Sequence, residues 1–139
     1  MNEALLSTTP MPCEWPALVA ASILYWGLGQ VTGVAKTRVA GTEWNRSNRE
    51  TEPEVPAWVH RTERAQRNLL ESYPLFLSLV VVLSFLGKTS HLSGLGALIW
   101  LGCRFLHAGL YMAGVTGWRT GAYLGSLVGL SMMIFALAA

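Results

Sequence analysis

Residues 61–76 read RTERAQRNLLESYPLF, and this stretch decides the fold because a dense group of polar side chains runs directly into a long apolar segment. From residue 72 to residue 87 no side chain is charged, and leucine, valine and phenylalanine dominate. Such a run has the composition of a membrane-spanning helix. Charged side chains at the entry to a membrane helix are costly, so they indicate either an interfacial anchor or a functional site.

The spacing of the polar residues distinguishes these two interpretations. Each residue of a helix advances by ~100°, so Arg64, Asn68 and Glu71 lie within about 60° of one another and form one polar stripe. Anchoring of a helix at the membrane interface by basic residues accounts for Arg61, Arg64 and Arg67. It does not account for Asn68 and Glu71. We therefore interpret the stripe as functional.

The rest of the chain has the same membrane character. It has 139 residues, of which 52% are hydrophobic and only 13% are charged, too apolar for an ordinary soluble domain. Four apolar stretches approach the ~20 residues that a bilayer requires. We predict an all-α integral membrane four-helix bundle, a single domain with up-down topology. Its helices are expected at about residues 17–35, 57–87, 92–113 and 119–138.

The distribution of charge predicts the orientation. Seven of the ten basic residues lie between residues 36 and 67, and basic loops tend to stay in the cytoplasm. The loop at about residues 36–56 is therefore predicted to be cytoplasmic, with both termini on the outer side. Cys13 and Cys103 show no metal-ligand spacing, so no metal site is expected, and nothing in the composition indicates a nucleic-acid partner.

The third predicted helix contains an arginine deep within its apolar span. Arg104 is unfavourable in a bilayer without a carboxylate, backbone carbonyls or water. Counting ~1.5 Å per residue from the predicted helix ends puts it level with Leu75, from where its long side chain can reach Glu71. Glu71 is the only acid in the four apolar stretches, so it is the predicted partner.

The fourth helix carries a glycine repeat. Gly121, Gly125 and Gly129 recur every four residues and predict a close-packed face, either within the bundle or between subunits.

The polar residues of the spans are predicted to converge at the cytoplasmic ends of the second, third and fourth helices. They are Arg64, Arg67, Asn68, Glu71, Arg104, His107, Tyr111, Arg119, Thr120 and Tyr123. This inventory is mainly cationic and suits a small ligand with two carboxylates, which arginines bind in bidentate fashion, and one ammonium, which Glu71 can bind. If the ligand also carries a thiol, a further arginine can stabilise the thiolate. Glutathione has this set of groups.

Three sequence blocks then resemble the MAPEG superfamily, the membrane-associated proteins of eicosanoid and glutathione metabolism, over about residues 57–139. The first block has the pattern R-A-Q-x-N-x-x-E-x-x-P-L-F from Arg64 to Phe76. The second is R-x-x-H-x-x-x-Y from Arg104 to Tyr111, and the third is R-T-x-x-Y from Arg119 to Tyr123. The overall pattern is similar to that of bacterial members, which implies a bacterial inner membrane.

The resemblance implies a homotrimer of four-helix bundles, in contact with membrane lipids, with glutathione as co-substrate bound between subunits. It assigns the peptide to Arg64, Arg67, Asn68, Glu71, His107 and Tyr111. It assigns the thiol to Arg119, with Thr120 at a position that carries serine in some members, and a ligand contact to Tyr123.

Three functions agree with these features. The first is a glutathione-dependent transferase or peroxidase that acts on lipophilic small-molecule electrophiles. The second is a non-catalytic member of the same fold that binds lipid or a partner helix. The third is a small proton-coupled multidrug transporter, which the three arginines close to Glu71 disfavour because they keep that carboxyl ionised.

Overall fold

The computed structural model describes residues 13–138, which form four α-helices and no strand. The helices are α1 (Glu14–Arg46), α2 (Ala57–Phe85), α3 (His91–Ala113) and α4 (Gly117–Ala138). Each of them is long and apolar enough to cross a membrane. The prediction of an all-α membrane bundle of four helices is confirmed.

The contacts between helices show that neighbours run antiparallel. Along α3 and α4, Gly96 meets Gly129 while Cys103, further along α3, meets Gly125, which comes earlier in α4. Along α1 and α2, Ser22 bonds Tyr73, and the later residue Lys36 bonds Glu63. The chain therefore runs up and down through the bundle, as predicted.

The predicted end of the first helix is wrong. The predicted cytoplasmic loop of residues 36–56 includes residues 36–46, but α1 continues to Arg46 and only residues 47–56 link it to α2. Charged residues mark where the apolar span ends, and they do not stop a helix. The backbone breaks once, at Gly41, whose φ of 84° and ψ of 168° are readily adopted only by glycine.

The ends of the other helices follow local signals. Pro56 precedes α2, and Ser90 begins α3 with a capping box in which Ser90 and Ser93 bond each other's backbone N–H. Gly114 ends α3 in the left-handed conformation, with φ 82°, and its N–H donates to the carbonyl of Tyr111.

The core is built from one face of each helix. Its centre is the stack of Phe76 on Trp100, with ring centroids 3.8 Å apart and both side chains buried. The outward faces carry large apolar side chains such as Trp26 and Phe135, which are 64% and 66% exposed. An apolar surface of this extent is expected where a helix bundle faces lipid.

The glycine repeat of α4 packs within the bundle at two of its three positions. A Cβ added at Gly129 would lie 2.5 Å from the carbonyl oxygen of Gly96, and one added at Gly125 would lie 2.8 Å from Sγ of Cys103. A Cβ at Gly121 would meet nothing within 4 Å.

Candidate functional site

The polar side chains in the first half of α2 are of two kinds. Some bond to neighbouring helices and hold the bundle together, and others are free to bind a ligand. Arg61 belongs to the first group, because its Nε donates to the carbonyl of Met112 at 3.0 Å and so ties α2 to the end of α3. Gln66 also belongs there, because its Nε2 donates to the carbonyl of Tyr25 at 3.1 Å. Arg64 and Arg67 point outward and are exposed.

A chain of three polar side chains links α2 to α3. Nη1 of Arg104 donates to Oδ1 of Asn68 at 2.8 Å, and Nδ2 of Asn68 donates to Oε2 of Glu71 at 3.2 Å. Arg104 is only 1% exposed, Asn68 is half-buried and Glu71 is exposed. The chain therefore runs from the interior of the bundle to its surface.

The predicted direct pairing of Arg104 with Glu71 is wrong. Asn68 lies between them and accepts the hydrogen bond that a carboxylate was expected to accept. Helical rise counted from the predicted helix ends places Arg104 level with Leu75. In the structure it is Trp100, one turn earlier in α3, that lies beside the middle of α2 at Phe76.

Aromatic rings continue the cluster from Arg104 to α4. The Cζ of Arg104 lies 5.2 Å from the ring centroid of Tyr123, whose ring in turn lies 6.4 Å from that of His107. His107 packs edge-on against Tyr111 at 5.5 Å. The Cζ of Arg119 lies 4.3 Å above the ring of Tyr111, a cation–π geometry that leaves its N–H groups free to donate at the edge of the guanidinium.

Seven of the ten predicted site residues thus form one continuous set from three helices, which we call the polar cluster: Asn68, Glu71, Arg104, His107, Tyr111, Arg119 and Tyr123. The other three, Arg64, Arg67 and Thr120, are exposed. Within residues 13–138 their side chains make no hydrogen bond or ion pair. Arg64 and Arg67 lie within about a turn of Asn68, and Thr120 follows Arg119, so all three border the cluster.

A second group of charges lies between α1 and α2 and was missed from the sequence. Nζ of Lys36 lies 2.5 Å from carboxylate oxygens of both Glu52 and Glu63. The hydrogen bond from Lys36 holds the pKa of the Glu52 carboxyl below its usual range. These residues line a polar cavity of about 420 Å³ together with Gly33 and Trp44. Lys36 and Glu63 meet because α1 packs against α2, and the return of residues 47–56 onto α1 adds Glu52. No local sequence signal marks either contact.

Three residues in this second group have the donor atoms of a metal site. One ligand atom from each of Glu52, His60 and Glu63 falls within 4.8 Å of the others. The ammonium of Lys36 already contacts both carboxylates, so it supplies the positive charge that they need. The prediction that the chain has no metal site stays a prediction.

The comparisons with known proteins agree with the sequence pattern. Residues 15–139 match the model of the MAPEG family, nearly the whole chain. No curated protein and no solved structure matches the chain.

Proposed function

Because the chain belongs to the MAPEG family, we propose that it is a multi-pass membrane transferase or peroxidase that uses glutathione against lipophilic electrophiles. The observation that carries this proposal is the polar cluster, which joins Glu71 on α2 to Arg119 on α4 through side chains of three helices.

The charges around the cluster complement those of glutathione. Arg64 and Arg67 are exposed and unpaired among the described residues, so they are available to bind two carboxylates. Glu71 is also exposed, and among the described residues only one of its oxygens is hydrogen-bonded, to Asn68. Its other oxygen is available for the ammonium of the γ-glutamyl group. Arg119 remains for the thiol.

The proposed reaction begins with loss of the thiol proton to water. A free thiol has a pKa near ~8.5, so only a few per cent is thiolate at neutral pH, and a guanidinium beside the sulfur increases that fraction. With an aryl halide as substrate, the glutathione thiolate attacks the carbon that carries the halogen. A carbon–sulfur bond forms, the carbon–halogen bond breaks and the halide leaves with its electron pair. Arg119 stabilises the anion throughout, and Thr120 beside it offers a hydroxyl donor.

The peroxidase reaction uses the same thiolate on a lipid hydroperoxide. The sulfur attacks the terminal oxygen, the oxygen–oxygen bond breaks and an alcohol leaves. A second glutathione then reduces the resulting sulfenic acid to a disulfide with release of water.

We further propose that the site is completed in a homotrimer. Arg64, Arg67 and Thr120 lie on the surface of a single chain, where a neighbouring copy would enclose a ligand that contacts them. The lipophilic substrate would enter from the bilayer, and in a bacterial cell the site would open to the cytoplasm from the inner membrane. Cross-linking of the purified protein in detergent gives the number of subunits directly.

Conjugation of glutathione to an aryl halide tests the proposed function. The Arg119→Ala variant is expected to lose activity by about 10²-fold, the loss typical of removing one anion-stabilising donor. The matched control is Arg46→Ala, which removes an exposed arginine at the end of α1. Equal rates in the wild type and Arg119→Ala would exclude the assigned role.

Calorimetry distinguishes the alternative functions. A non-catalytic member of the fold would show no heat and no thermal shift with glutathione. A proton-coupled transporter would require Glu71 to exchange protons inside the membrane, whereas Glu71 is exposed, is hydrogen-bonded to Asn68 and directly precedes the charge-free part of α2 that begins at residue 72. The position of this carboxyl therefore favours ligand binding.

A further inference from the structure

Arg104 differs from the other arginines of the site because a ligand cannot reach it. It is 1% exposed, and the rings of Trp100 and Tyr123 lie 5.9 Å and 5.2 Å from its Cζ. Its one hydrogen bond among residues 13–138 goes from Nη1 to Asn68, while Nε and Nη2 are buried without a partner. A group so enclosed acts on a ligand through its neighbour.

That neighbour is an amide with two unlike ends. The side chain of Asn68 offers an oxygen that accepts and an NH2 that donates. A guanidinium can only donate and an ionised carboxylate can only accept. Arg104 therefore binds the amide oxygen, at 2.8 Å, and the NH2 group is directed to Glu71, at 3.2 Å.

We propose that Arg104 is a positioning residue that fixes the orientation of the Asn68 amide and thereby sets the carboxylate of Glu71 for a ligand's ammonium group. This inference rests on the proposed function for the identity of the ligand, but the orientation itself does not require a ligand. Without Arg104 the amide oxygen loses its donor, and the amide is then held only by its hydrogen bond to Glu71. The amide and the Glu71 carboxylate can then move together, so Glu71 loses its fixed position.

A comparison of two ligands separates positioning from a general structural role. Binding of glutathione and of its analogue without the α-amino group is measured by calorimetry for the wild type, Arg104→Met and Arg104→Lys. Arg104→Met is expected to weaken glutathione binding by about tenfold or more, the range of one hydrogen bond to a charged group. The analogue, which does not use Glu71, is expected to change by less than about twofold. Arg104→Lys restores much of the difference, because its ammonium also donates to Asn68.

Equal weakening of both ligands, or no weakening of either, would overturn the inference while leaving glutathione binding by the wild type intact. If Arg104→Met does not fold, Asn68→Asp replaces it. This variant keeps an acceptor for Arg104 and removes the donor to Glu71, so it is expected to weaken glutathione selectively. Equal effects on the two ligands would again contradict the proposal.

A measurement without ligand tests the role of Arg104 independently of glutathione binding. If the wild type binds neither compound, the proposed function is refuted, but this measurement still tests whether Arg104 orients Asn68. In protein labelled with ¹⁵N-asparagine, the side-chain amide of Asn68 is expected to exchange its hydrogens with solvent about tenfold faster in Arg104→Met. The amide of Asn45 is the control, because its oxygen also accepts from an arginine, Arg49, at 2.6 Å. Unchanged exchange at Asn68 would overturn the inference.

Discussion

Ser93, in the first turn of α3, donates its hydroxyl hydrogen to the carboxylate of Glu14 in the first turn of α1. Both side chains are buried, with Glu14 1% exposed and Ser93 fully enclosed. The same serine belongs to the capping box with Ser90, so the carboxylate of Glu14 lies at the amino terminus of α3. A negative group is favourable there because the helix dipole places partial positive charge at that end.

Glu14→Ala is expected to lower the free energy of unfolding by about 1 kcal/mol, the net contribution of one hydrogen bond. The loss is limited because the Ser93 hydroxyl can still donate to the carbonyl of Ser90 at 2.9 Å. Glu14→Gln is expected to cost less, because the amide keeps an acceptor oxygen. The measurement is thermal unfolding in detergent. Adding Ser93→Ala to Glu14→Ala should cost less than the sum of the two single changes. Glu43→Ala, at the exposed end of the same helix, is the control, and an equal effect there would contradict the assignment.

Gly96→Ala and Gly102→Ala form a matched pair on α3. A Cβ at Gly96 would lie 2.7 Å from the carbonyl oxygen of Gly129, so α3 and α4 would have to separate. We expect a loss of about 1–3 kcal/mol in stability, as for other overpacked sites. A Cβ at Gly102 would meet nothing within 4 Å. Gly102→Ala is expected to be neutral or to stabilise by up to ~1 kcal/mol through helix propensity.

Thermal unfolding of both variants in detergent checks this prediction. The two substitutions are the same change in the same helix, so they differ mainly in what the added Cβ would contact. Equal stability of Gly96→Ala and Gly102→Ala would contradict the close approach of α3 and α4.

The loop formed by residues 47–56 is expected to loosen in acid. Lys36 lowers the pKa of Glu52 in the folded chain, so the ion pair contributes stability above the unfolded pKa of about 4.5. That contribution is lost as the pH falls through the lower, folded pKa. Hydrogen exchange of the loop amides, corrected for the intrinsic effect of pH, measures the loss.

Glu52→Gln is expected to give the loosened loop already at neutral pH and to abolish its response to acid. Glu54→Gln is the control, because Glu54 makes no ion pair in the part of the chain that the structure describes. A wild-type loop that exchanges equally at pH 7 and below the folded pKa would show that the Lys36 pair does not hold it.

The sequence predicts the four helices well because each contains a long apolar run, and the bilayer fixes the length of such a run. It fails at the end of α1, where residues 36–46 are polar but continue the helix. The structural role of Glu14 was missed because the apolar run begins one residue later, at Trp15, whereas α1 itself begins at Glu14. Hydropathy locates membrane boundaries, and helix boundaries depend on caps and breaks.

The candidate site was predictable in composition and not in detail. The spacing of Arg64, Asn68 and Glu71 placed them on one stripe, because helical periodicity is local. The partner of Arg104 depends on how far α3 is shifted along α2, which no local pattern records. A count from estimated helix ends therefore chose Glu71, whereas the packing of Phe76 on Trp100 sets a register that brings Arg104 to Asn68.

The ultraviolet absorbance of the thiolate, followed as glutathione is added to purified protein at pH 7, tests the central claim most directly. We predict a thiolate band that saturates with glutathione in the wild type and falls about tenfold in Arg119→Ala, because the thiol pKa returns toward its free value near ~8.5. No thiolate band with the wild type, or an equal band with Arg119→Ala, would contradict the account.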